Sequence, residues 1–109
     1  MEMTHRTGTD GARVLALSGD FDGRSTAEVR DALHHLIDVA DGDVVVDLSE
    51  VTSTDLLALR VLAAATRRAA GLHIHVVLRG ARPAVRRLLH LSHLIRAVEV
   101  EPAPAAAGA

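Results

Sequence analysis

The stretch Val44-Val45-Val46-Asp47-Leu48-Ser49-Glu50-Val51-Thr52-Ser53-Thr54-Asp55-Leu56-Leu57-Ala58-Leu59-Arg60-Val61-Leu62 decides the architecture. Three consecutive valines without polar alternation suit a strand covered on both faces, Val44 to Leu48. A polar turn follows. Asp55 is of the type that caps a helix by accepting a hydrogen bond from an orphan amide, so a second helix is expected from Leu56 to Ala70. On that helix Ala58, Leu59, Leu62, Ala65, Thr66 and Ala69 share one face, the side expected to meet the core. Leu56 shares a stripe with Arg60 and Arg67, and Leu57 lies between that stripe and Arg68. Both leucines should therefore lean toward solvent, either as a local staple or as a contact surface for another protein.

Working outward, Val14 to Leu17 reads as a strand running into the turn Ser18-Gly19-Asp20. Ser25-Thr26-Ala27-Glu28 has the spacing of a capping box, and Val29, Leu33, Leu36, Ile37 and Ala40 then recur at helical intervals until Asp41-Gly42-Asp43. Gly71 is expected to end the second helix before a strand at Leu72 to Leu78. Pro83 suits the first position of a third helix with Val85, Leu88, Leu89 and Ser92 on one face, and a last strand covers Ala97 to Val100. Strands alternating with helices predict an α/β fold with a partly parallel sheet.

The chain has 109 residues, 49% of them hydrophobic, enough for one core and too few for several domains. A net charge of -2 gives no overall field toward nucleic acid or anionic membrane. Phe21 is the sole aromatic, so no platform for stacking bases exists. With no cysteine there are no disulfides, thiolate metal sites or cysteine nucleophile. Met1 to Asp10 is polar and unlike a signal peptide, and no run is long enough to insert in a membrane, so a cytoplasmic location is expected. Residues 1–100 are expected to form the domain and 101–109, rich in Pro and Ala, a disordered tail.

Other chemistry is thinly represented. His73 and His75 would share a strand face and His90 and His93 a helix face, without a carboxylate or cysteine to complete a recognisable metal set. Adjacent His34 and His35 diverge on a helix. Asp20, Asp22, Asp41, Asp43, Asp47 and Asp55 sit at element ends, where turn and cap duty explains them. There is no Gly-rich phosphate loop, Gly-x-Ser-x-Gly elbow or His-Glu-x-x-His, so neither enzymatic activity nor a cofactor is implied. Arg79, Arg82, Arg86 and Arg87 form a basic cluster that reads as a solvated helix face or a contact for an acidic partner.

Four ordered pieces resemble one family. Gly19-Asp20-Phe21-Asp22 before Ser25-Thr26-Ala27, Val46-Asp47-Leu48-Ser49-Glu50-Val51, Asp55-Leu56-Leu57-Ala58-Leu59-Arg60 and Pro83-Ala84-Val85-Arg86-Arg87-Leu88-Leu89 are similar to segments of STAS domains of the anti-sigma factor antagonist type. The resemblance implies a single STAS-like domain, with four to five mixed parallel and antiparallel strands and helices packed against the sheet. It also implies partner switching, in which the antagonist binds an anti-sigma factor, a serine kinase of the GHKL type, and frees a sigma factor. A homodimer is left open. The implied partner surface comprises Asp22, Ser53, Thr54, Asp55, Leu56, Leu57 and Arg60.

The family's helix opens Asp-Ser-Ser-Gly-Leu-Gly, and the serine after the aspartate is its phosphoacceptor. Leu56 occupies that place and has no hydroxyl. Phosphorylation there is therefore not expected, and Ser53 and Thr54 are the nearest hydroxyls that could substitute. The family's two glycines become Ala58 and Arg60, adding side chains where a partner backbone could approach. His93 stands where relatives commonly carry a glycine, which implies a left-handed backbone there. The alternative reading is a STAS scaffold or accessory subunit of a stress-signalling or lipid-transport complex, where the missing hydroxyl is of no consequence.

Overall fold

The computed structural model describes residues 1–102. Its elements are β1 (Glu2–Thr7), β2 (Arg13–Phe21), α1 (Thr26–Val39), β3 (Val44–Thr54), α2 (Leu56–Gly71), β4 (Val76–Arg79), α3 (Pro83–Leu91), a 3₁₀ turn (Leu94–Ala97) and β5 (Glu99–Val100). The five strands lie in one sheet in the order β1-β2-β3-β4-β5, so spatial order repeats chain order. β1 runs antiparallel to β2, and the other neighbours are parallel. This is the mixed sheet with packed helices that the sequence led us to expect.

Right-handed crossovers that always step to the next position carry the helices to the same face of a sheet. Leu15 and Leu17 of β2, Val44, Val46 and Leu48 of β3, and Val76 and Leu78 of β4 accordingly pack with residues of all three helices in one core. From the helices come Leu33 and Ile37 of α1, Leu59 and Leu62 of α2, and Val85 and Leu89 of α3. The valine run of β3 was expected to be covered on both faces, and Val44, Val45 and Val46 are all buried. Val45 turns away from the helices and lies in a small cluster with Ala12 and Val14.

Several boundaries differ from the sequence reading. β1 was missed, because Glu-Met-Thr-His-Arg-Thr carries a single side chain, Met3, that reaches the core, and the rest is exposed edge. β3 does not stop at Leu48. It runs on to Thr54, pairing Glu50–Thr54 with Ser18–Phe21 through two register shifts. β4 begins at Val76, not Leu72. Gly71 is the last residue of α2, where it was expected to end the helix, Leu72 is the exposed cap residue, and His73 takes the left-handed conformation at φ 60°. His93 has the left-handed backbone that the family resemblance implies, with φ 63°. The segment before β5 is a 3₁₀ turn rather than strand.

Glu101, assigned to the tail, donates its amide to the Leu78 carbonyl at 2.8 Å and pairs through its carboxylate with Arg79 at 2.9 Å. The remainder of the expected disordered tail, from Ala103 on, lies outside the described residues.

Candidate functional site

The candidate site forms where β2 and β3 outrun the sheet. Of β3 only Val44–Asp47 pairs with β4, so Glu50–Thr54 and Ser18–Phe21 continue as a two-stranded arm. The register shifts, with Gly19 at φ 88°, are bulges that re-aim the last residues of β2 and set Asp20 opposite Ser53. The Asp20 carboxylate accepts from Ser53 Oγ at 2.7 Å and from Thr52 Oγ1 at 3.1 Å. Those two hydroxyls, the nearer first, hold the Asp20 carboxyl below its ordinary pKa.

The next turn is built on carboxylates. Asp22 accepts from the Arg24 amide at 3.0 Å and from its guanidinium at 3.1 and 2.8 Å, and this pairing depresses the Asp22 pKa. The Ser25 amide bonds the Asp22 carbonyl at 2.9 Å, and Thr26 Oγ1 donates to the Gly23 carbonyl at 3.1 Å. The expected capping box is not formed, because Ser25 makes no side-chain cap bond.

Asp55 joins this turn to α2. One carboxylate oxygen caps the helix by accepting from the Ala58 amide at 2.9 Å, as expected, and the other accepts from the Gly23 amide at 3.0 Å. Buried Phe21 anchors the loop from beneath. Leu57 stands over Gly23: a β-carbon added at Gly23 would lie 3.3 Å from Leu57 Cδ1. Leu57 is 59% exposed, whereas Leu56, expected to be equally open, is half-buried. Ala58 is fully buried, so of the two residues at the family's glycine positions only the exposed Arg60 presents a side chain to a visitor.

Of the residues singled out in sequence, Asp22, Asp55, Leu57 and Arg60 bound one surface, and Ser53 borders it through Asp20. Thr54 faces inward, with its hydroxyl buried and without a hydrogen-bond partner among the described residues. Asp20, Gly23, Arg24 and Thr52 were missed as site members. Their signal was present in the clustered turn carboxylates, but nothing in the sequence tied that turn to residue 55. Beside the arm, Thr52, Ser53, Thr54, Arg82, Ala84 and Leu88 line part of a groove of about 240 Å³.

The basic cluster is largely spoken for internally. Arg79 pairs with Glu101, Arg82 Nε donates to the Ser49 carbonyl at 3.0 Å, and Arg86 donates to the carbonyls of Ala81 and Glu101 at 3.1 and 2.8 Å. The histidines do not assemble. His73 lies outside any strand, His75 pairs with Glu99 at 2.9 Å, and no group of three or more His, Asp or Glu gathers to hold a metal among the described residues. No helix there is long and apolar enough to cross a membrane.

The sequence model of the family described as "Mlab, STAS domain" matches residues 4–99. The chain belongs to the STAS domain family. No curated protein matches it significantly. Among solved structures, this STAS domain is similar to an anti-sigma factor antagonist from Mycobacterium paratuberculosis, with 27% identity and a TM-score of 0.75 over 94% of this chain and 87% of that one. A variant of RsbS from Moorella thermoacetica gives 26% identity and a TM-score of 0.75, covering 95% and 89%. Unphosphorylated SpoIIAA of Bacillus, an anti-sigma factor antagonist, shares the STAS fold at 13% identity, with a TM-score of 0.72 over 98% and 94%.

Proposed function

We propose that this STAS domain is a regulatory binding protein of the anti-sigma factor antagonist type. It engages an anti-sigma factor, a serine kinase of the GHKL type, and so releases a sigma factor. The contact surface is the start of α2 with the turn beside it: Asp22, Ser53, Thr54, Asp55, Leu56, Leu57 and Arg60. The reading is carried by Leu57, a large apolar side chain left open on the first helical turn above a tethered loop, with charged Arg24 and Arg60 nearby. Apolar anchors ringed by polar groups are the usual core of a protein contact.

Phosphorylation does not switch this antagonist at residue 56, because Leu56 has nothing to accept a phosphoryl group. Ser53 is the better substitute of the two nearby hydroxyls, since Thr54 Oγ1 is buried. A phosphate on Ser53 would meet the Asp20 carboxylate, so its effect would be repulsive.

The test is calorimetric titration of the chain against each GHKL-type anti-sigma kinase of its native cell. One kinase should bind, and Leu57→Asp should weaken that binding by about tenfold or more. The same kinase with ATP should phosphorylate Leu56→Ser and leave the parent unmodified. Failure of every kinase to bind would sink the antagonist role. Leu56 also suits a scaffold or accessory subunit of a stress-signalling or lipid-transport complex, and co-purification of such subunits in place of a kinase would establish that second reading.

A further inference from the structure

Among the described residues the outer edge of β1 has no partner. β1 is the first strand of the sheet and pairs only with β2, and every residue of Glu2–Thr7 except Met3 is exposed. Such an edge offers a row of amides and carbonyls to any incoming strand. Its side chains specify which strand fits.

Consider a second copy of the chain added antiparallel about a two-fold axis normal to the sheet. Both sets of helices then stay on one side, and directly opposed residues must come from the same side of the pleat. Two registers overlap over most of β1. One sets His5 against His5 and Arg6 against Thr4, leaving Glu2 without an opposite. The other sets Thr4 against Thr4, Met3 against His5, and Glu2 against Arg6 twice over. Only this second register places opposite charges across the join, where they attract.

The local surroundings favour it. Glu2, Thr4 and Arg6 lie on the helix-free side of the sheet, next to Ser18, Ala16 and Val14 of β2, small residues that leave room for both long side chains. Glu2 forms no ion pair among the described residues. Arg6 is 56% exposed and reaches only Asp47, at 3.7 Å, so donors remain for a second carboxylate. Edge charges of one sign would keep all copies apart, whereas the alternation Glu2-Thr4-Arg6 is self-complementary.

We infer that β1 is a self-association site, at which two copies join their sheets through Glu2 facing the second copy's Arg6. This surface lies on the opposite edge of β2 from β3, so it is independent of the function proposed for the α2 end.

Sedimentation of the full chain, at up to about 1 mM and at low and high salt, tests the inference. The parent should form a dimer that salt weakens. Glu2→Arg and Arg6→Glu should each weaken it by about tenfold or more, since attraction becomes repulsion at two symmetric positions. An equimolar mixture of the two variants should regain parental affinity, because every altered charge then faces its opposite. A monomeric parent, a dimer indifferent to both reversals, or a mixture that stays dissociated would overturn the inference. Should Arg6→Glu unfold through its contact with Asp47, a second readout is available because the chain has no cysteine. Thr4→Cys should then crosslink into disulfide dimers faster than Met3→Cys or His5→Cys, and equal rates would refute the register.

Discussion

The Asp55 carboxylate accepts a hydrogen bond from the Gly23 amide at 3.0 Å, across 32 residues of chain. Its other oxygen caps α2 at Ala58, so a single side chain holds both halves of the candidate site. Asp55→Ala should lower unfolding stability by about 1–3 kcal/mol, and Asp55→Asn, which keeps one acceptor, by about half as much. Urea titrations would measure both. A loss below about 0.5 kcal/mol for the alanine variant would mean that neither bond matters.

Gly80 has φ 71°, and a β-carbon there would sit 2.8 Å from Ser49 Cβ. Gly80→Ala should therefore cost about 2–4 kcal/mol through backbone strain and collision together. The converse holds at His93. It adopts φ 63° with an L side chain, so His93→Gly should gain about 1 kcal/mol. Thermal unfolding of the two variants should shift in opposite directions, and a shift in the same direction would contradict the argument.

His75 and Glu99 tie the start of β4 to β5 at 2.9 Å, and the hydrogen bond and charge of Glu99 raise the imidazole pKa above its ordinary value. A raised folded pKa contributes stability that is fully present below the unfolded value and is lost as pH rises through the folded one. NMR titration should show the His75 pKa falling in Glu99→Gln. The stability difference between parent and variant should shrink as the pH passes above the imidazole range. An unmoved His75 titration would remove Glu99 as the cause.

Asp20 offers the opposite sign. Its carboxyl is depressed by the hydroxyls of Ser53 and Thr52, so its contribution is present above the ordinary aspartate pKa and disappears as pH falls through the folded value. Ser53→Ala should raise the Asp20 pKa. Ser53→Asp, which sets a second carboxylate against the first, should raise it further and loosen the arm. Carboxylate NMR titrations and amide exchange at residues 51–54 would report both effects, and an unchanged Asp20 pKa in Ser53→Ala would discount the 2.7 Å bond.

The sequence was most legible where a periodic apolar pattern met a strong local signal. The valine run with Asp55 located β3 and the start of α2, and Pro83 located α3, because burial and capping act there in the same direction. It was least legible where tertiary pairing overrides composition. β1 is polar and is strand only because β2 offers it an edge. The polar end of β3 is strand because bulged β2 follows it, which no pattern in Ser49-Glu50-Val51-Thr52-Ser53-Thr54 announces. The same limit applies to the site. Asp55 as a cap could be read from neighbouring residues, but its bond to Gly23 depends on how two loops meet. Arg82 and Arg86 looked available because their acceptors are backbone carbonyls of Ser49, Ala81 and Glu101, which carry no mark in a sequence.

Because the strands of this sheet follow one another in space as they do along the chain, no strand has to be threaded between two that were made before it. A chain leaving the ribosome can add each new strand to the most recent edge, and each pairing closes a short loop. Assembly in that manner leaves one growing edge at a time. The last strand among the described residues, Glu99–Val100, is short, and Arg79 and Arg86 then fasten the Glu101 that follows it to β4 and α3.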